Sequence, residues 1–220
     1  MKKVSILQVY DHLCFEDCFN LLTECVDEIY VRIDNERTSQ HTLEVLKSCK
    51  KVRKIIEGKY SRKVYKWREE LLRLLDDIKP DLVFSLDVDE KFEDPVCIQK
   101  EIADFWESDK SAIMFHKFPC PVINVTEIKM FYPATPHMKI FKWKEGLSYL
   151  PYGGRCRIKN YSFTKYHWFT DSRMLHYAFY TKEMRDKKYE EFEKSKCYML
   201  MGAIKDINLR MKIHERRRTI

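Results

Sequence analysis

The stretch that most constrains the fold is Asp81-Leu82-Val83-Phe84-Ser85-Leu86 followed at once by Asp87-Val88-Asp89-Glu90. Leu82 to Leu86 would be apolar on both faces of a strand, so it needs cover from both sides, which makes it a buried central strand. Before it, Lys63 to Ile78 places Val64, Trp67, Leu71, Leu74, Leu75 and Ile78 on one helical face, and Pro80 forbids continuation of that helix. A long helix, a breaker and a buried strand ending in carboxylates is one repeat of an alternation that begins earlier in the chain. Val4 to Tyr10 reads as an apolar strand, Phe15 to Val26 as a helix, and Glu28 to Asp34 as a β-branched and aromatic strand. Ser39 to Cys49 predicts a second helix, capped by Thr38 or Ser39, and Val52 to Ile56 a short strand. Alternation at such intervals predicts an α/β fold with a mostly parallel central sheet flanked by helices.

Beyond residue 95 the pattern becomes irregular. Strand-like runs at Ala112 to Phe118 and Met138 to Trp143 lie in a segment rich in aromatics and prolines, and helices are expected at about 182–196 and 198–212. No internal repeat or low-complexity linker interrupts the chain, so one domain over residues 1–220 is expected, with a scaffold half at 1–95 and an irregular half, lid or acceptor region, at 96–220.

Composition removes several function classes. The 45% hydrophobic content of 220 residues supplies a real core and excludes disorder as the main state. Only 5 glycines are present, and none of their spacings forms G-x-G-x-x-G or a phosphate-cradling P-loop. The 8 cysteines contain no C-x-x-C pair and read as reduced, mostly buried thiols. Met1-Lys2-Lys3 leads directly into strand residues and no long apolar run follows, so a soluble, cytoplasmic protein with no transmembrane segment is expected.

Charge is polarised along the scaffold. Residues 47–73 hold 11 basic and 3 acidic side chains, a net +8, whereas 76–109 hold 12 acidic and 3 basic, a net of minus 9. Both blocks can be solvated helix faces. Alternatively, an anion site and a cation site adjoin at the carboxyl edge of the sheet, where open α/β sheets place their ligands.

In an extended or turning segment Asp87 and Asp89 project to one side, with Val88 packed behind them. Two such carboxylates repel each other unless a cation neutralises them, and hard oxygen donors in a partly open site suit Mg2+ or Mn2+. The competing reading is an acidic turn that caps the next element.

The order strand, helix, strand ending in Asp34, helix, strand, long helix, then Leu86-Asp87-Val88-Asp89-Glu90 resembles the GT-A glycosyltransferases, particularly the family 2-like enzymes with an L-D-x-D-E element. The likeness covers residues 4 to about 95. Asp34-Asn35-Glu36-Arg37-Thr38-Ser39 stands where that family has its D-x-x-S/T segment, and Arg68 where a helix-borne Arg or Asn precedes the acidic strand. The resemblance implies a nucleotide-sugar donor half at 1–95 and an acceptor half at 96–220. It implies that Asp34 holds the base or ribose of the donor, that Arg68 contacts phosphate, that Asp87 sits near the ribose or the metal, and that Asp89 ligates a metal bridging the diphosphate. In the second half, Arg173-Met174-Leu175-His176-Tyr177-Ala178-Phe179-Tyr180 with Glu183, Arg185 and Lys188 resembles a stretch of related bacterial and viral sequences, and His176 becomes the candidate third metal ligand.

Gly153-Gly154 suits a loop closing over a donor or an ordinary turn. Trp143, Tyr149, Tyr152, Tyr161, Tyr166 and Trp168 form either an acceptor wall on which sugar rings stack or plain core. The family's downstream acidic base has no clear copy, and Glu90, Glu127 and Asp171 are its candidates. The function implied is transfer of a sugar from a nucleotide-sugar donor, a UDP-sugar by preference, to a glycan or lipid-linked acceptor with Mn2+ or Mg2+. Two alternatives stand beside it. One is a viral glycosyltransferase acting on modified DNA bases, with the basic block and tail on nucleic-acid phosphates. The other is a sugar-phosphate nucleotidyltransferase, whose glycine-rich, basic N-terminal loop has no counterpart at residues 8–20.

Overall fold

Lys79, with φ of 47°, turns the chain out of helix α3 (Val64–Ile78), and its N–H bonds the carbonyl of Leu75 at 2.8 Å before Pro80 blocks a further turn. The chain then enters β4 (Leu82–Asp87), in which every residue from Leu82 to Leu86 is buried. β4 lies in the middle of the sheet, as its composition requires. It pairs in parallel with β1 (Lys3–Val9), which pairs in parallel with β2 (Glu28–Asp34) and that in turn with β3 (Val52–Gly58). On its other side β4 meets β7 (His137–Lys142) antiparallel, β7 meets β6 (Ala112–Pro119) antiparallel, and β6 runs parallel to β10 (His167–His176). β5 (Glu90–Phe92) closes the edge antiparallel to β10, giving the order β3-β2-β1-β4-β7-β6-β10-β5. A separate hairpin pairs β8 (Ser148–Tyr152) with β9 (Arg155–Lys159).

This computed structural model describes residues 1–59, 64–119, 137–152, 155–159 and 167–177, together with Glu183, Asp186, Tyr189, Glu190 and Glu193. It is a mixed α/β fold with a mainly parallel central sheet between helices. On one face Phe15, Phe19 and Leu22 of α1 (Phe15–Cys25) and Ile98 and Phe105 of α4 (Pro95–Glu107) pack on Leu7, Val9, Phe84 and Leu86. On the other face Leu71, Leu72 and Leu75 of α3 cover Val4, Ile6 and Val83. Each of these leucines contributes roughly 1.5–3 kcal/mol by leaving water. Helix α2 (Gln40–Ser48) starts at Ser39, whose hydroxyl accepts the Thr42 N–H at 3.3 Å, and Lys51 Nζ closes the end of α1 on the carbonyls of Thr23 and Val26.

α4 and β5 go beyond the elements legible in the sequence, although Asp94 accepting the N–H groups of Val96 and Cys97, with Pro95 in the first turn, is a strong helix start. Three strands from beyond residue 95, β6, β7 and β10, join the eight-stranded sheet. The five described positions from Glu183 to Glu193 are helical, consistent with the helix expected there, whereas 198–212 lies outside the described residues. Among the described residues no helix is long and apolar enough to cross a membrane.

Candidate active site

Because β1, β2 and β4 are parallel, their carboxyl ends share one edge and deliver Asp11, Asp34 and Asp87 to it. Asp34 is fully buried by its own turn, since Arg37 Nε and the Glu36 N–H both bond its carboxylate. The Arg37 guanidinium also lies 4.8 Å above the Tyr10 ring. A nucleoside could reach the Asp34 carboxylate only after Arg37 moves. Neighbouring Asp11 accepts the Ser39 N–H at 2.9 Å, the Ser39 hydroxyl at 3.0 Å and the Thr42 hydroxyl at 2.8 Å. Burial alone would raise its pKa, but these bonds and nearby His41 outweigh burial and hold it below the usual carboxylate value.

Val88 and Asp89 form a turn between β4 and β5, with Asp87 in contact with Arg68 and Lys139 and Asp89 in contact with His176. Asp87 turns inward to an ion pair with Arg68 of α3 and to Lys139 Nζ of β7 at 3.0 Å. Lys139 also bonds Glu90 Oε2 at 2.7 Å, and that oxygen accepts the Asp87 N–H at 2.9 Å. Glu90 is therefore enclosed between Lys139 and the backbone of Asp87. A small pocket beside them is walled by Leu7, Phe15, Cys18 and Leu86 with Asp87 and Glu90.

Asp89 faces β10. The Tyr177 N–H donates to the Asp89 carbonyl at 2.8 Å, His176 pairs in register with Glu90, and His176 Nε2 lies 3.4 Å from Asp89 Oδ2. Two residues 87 positions apart meet because β10 inserts between β6 and β5. A carboxylate and an imidazole this close are donor types that would suit a divalent cation. Among the described residues no three His, Cys, Asp or Glu side chains group closely enough to hold a metal ion. The remaining positions would fall to phosphate and water, which is usual for Mg2+.

The sequence reading brought Arg68, Asp87, Asp89, Glu90 and His176 to one edge, and the structure places them there. It missed Lys139. The signal was a lone lysine in Met138-Lys139-Ile140-Phe141, because a charged group inside an apolar strand requires buried carboxylates opposite it. Of the aromatics, Tyr149 is core: its hydroxyl pairs with Ser85 Oγ at 2.9 Å and its N–H donates to Glu69 at 2.5 Å. Asp171 lies on β10 where the register with β6 shifts, with its side chain outside what is described. Glu127, Gly153, Gly154, Tyr161 and Tyr166 lie outside the described residues, as do the side chains of Tyr152 and Trp168.

No family model matches the chain, and no curated protein does. Among solved structures it is similar to residues 1–349 of S. aureus TarS, with a TM-score of 0.46 and 15% identity over 64% of this chain and 47% of that one. The complex of the same protein with UDP-GlcNAc aligns at a TM-score of 0.45 and 18% identity over 57% of this chain and 37% of that one. A 4-diphosphocytidyl-2C-methyl-D-erythritol synthase from Anaerococcus prevotii aligns at 0.43 and 14% identity over 64% of this chain and 70% of its own. The chain spans about half the length of that TarS fragment or less.

Proposed function

We propose that this chain is a glycosyltransferase that moves a sugar from a nucleoside-diphosphate donor, UDP-linked by preference, to a glycan or lipid-linked acceptor. The observation that carries the reading is the meeting of Asp89 with His176 at the carboxyl edge of a mainly parallel sheet, beside an Asp87 held by two cations. Mn2+ or Mg2+ is the cofactor proposed for Asp89 and His176, where it would stabilise the charge developing on the departing diphosphate. Asp87, oriented by Arg68 and Lys139, would accept donor hydroxyls, and Asp34 would take a base or ribose contact once Arg37 swings aside. With Glu90 buried against Lys139, Asp171 and Glu127 are the bases proposed.

The test is calorimetric titration of the chain with UDP, CDP and ADP, each with Mn2+ and with EDTA, followed by transfer from the matching labelled sugar donor. Tighter binding of one nucleotide with Mn2+ is the expected result. Binding of none of the three would sink the reading.

A further inference from the structure

Lys139 is the only buried lysine or arginine among the described residues. An ammonium so placed is costly unless carboxylates and hydrogen bonds surround it. Here one nitrogen bridges two carboxylates, Asp87 at 3.0 Å and Glu90 at 2.7 Å. Its place follows from the topology. Phe84 pairs with Ile140 across the antiparallel β4 and β7, so Lys139 lies one residue further toward the carboxyl end of β4, where the acidic turn begins. Glu90 Oε2 takes both the ammonium and the Asp87 N–H, which locks the backbone and the side chain of Asp87 to a single point.

We propose that Lys139 is a built-in cation that occupies the space a divalent metal would take between Asp87 and Glu90. As a positioning residue it keeps Asp87 out of the metal's coordination shell and confines metal to the Asp89–His176 pair. With Lys139 and Arg68 present, the three carboxylates of Asp87, Asp89 and Glu90 carry a net charge near minus 1 rather than minus 3, so the turn tolerates a diphosphate without gathering several metal ions. The inference rests on the donor-site reading above for what the bound metal serves, but its test uses metal alone.

Mn2+ is titrated into the wild-type chain, Lys139→Met and Lys139→Arg, with free Mn2+ read by electron paramagnetic resonance and melting temperature read in parallel. Lys139→Met should bind Mn2+ about tenfold or more tightly than wild type, because the ammonium that offsets the charge of Asp87 and Glu90 beside Asp89 is gone. Its melting temperature should fall without metal and recover more with Mn2+ than that of wild type. Lys139→Arg should keep wild-type Mn2+ affinity. A merely structural lysine would lower the melting temperature without tightening metal binding, and unchanged or weaker Mn2+ affinity in folded Lys139→Met overturns the inference. If Lys139→Met does not fold with or without Mn2+, Lys139→Gln, whose amide can still donate to Glu90 without the charge, is held to the same criterion. A wild-type chain that binds no nucleotide with Mn2+ refutes the glycosyltransferase reading and leaves the Lys139 comparison intact.

Discussion

Asp89→Asn separates the chemistry of the acidic turn from its role in the fold. The substitution keeps side-chain volume, and the bond from the Tyr177 N–H to the residue 89 carbonyl belongs to the main chain and survives. One side-chain contact put at risk is the Asp89–His176 pair, long at 3.4 Å, and a net hydrogen bond is worth about 0.5–1.5 kcal/mol. Loss of that contact should lower stability by about 0.5–1.5 kcal/mol, a drop in melting temperature of a few degrees for a chain of this size. Function should respond differently, because the negative ligand at the proposed metal position is gone. We expect loss of measurable Mn2+ binding and about a hundredfold fall in turnover, or ~2.7 kcal/mol of transition-state stabilisation. The assays are thermal melts, Mn2+ titration and transfer from a labelled donor at saturating metal. Turnover above about a tenth of wild type with unchanged Mn2+ affinity refutes the assignment; that loss corresponds to less than ~1.4 kcal/mol.

Because Arg68 and Lys139 already neutralise Asp87, removing metal with EDTA should weaken UDP binding about tenfold rather than abolish it, as calorimetry will show. Tyr149→Phe should cost about 1–2 kcal/mol in chemical denaturation, from its buried bond to Ser85, while leaving acceptor kinetics unchanged. Gly58→Ala should destabilise by about 1 kcal/mol in the same assay. The added Cβ meets the Arg32 guanidinium, which must then leave the Glu57 carbonyl, Glu70 and the face of Trp67. Asp11 has a lowered folded pKa, so its contribution is present above the unfolded value of 3.8 and lost as pH falls through the folded one. Melting temperature measured from pH 5 downward should thus fall less steeply in Asp11→Asn than in wild type. Burial raises the thiol of Cys18, and that of Cys25 to about 11, so both should resist alkylation at pH 8 until the chain unfolds, whereas exposed Cys97 should react in the native state.

The elements readable in the sequence are those whose signals are local. Apolar spacing in α1 and α3, Pro80 after α3 and the doubly apolar Leu82–Leu86 run all act over a turn or two, and the structure reproduces each within about two residues. Ser39 as a cap and the carboxylates at the ends of β2 and β4 follow from the same short-range logic, so the acidic edge is legible in the sequence. Whether Val88 and Asp89 continue as strand or turn depends on what the segment pairs with, and no local signal records that. Here β10, arriving from more than eighty residues away, pairs with β5 and turns the chain at Val88–Asp89. The same insertion brings His176 to Asp89, and the antiparallel entry of β7 sets Lys139 between Asp87 and Glu90. Residue type and periodicity determine which side chains reach the edge. Strand order alone decides which charges meet there, because pairing across a sheet is chosen by the burial of the whole and leaves no short-range mark on the chain.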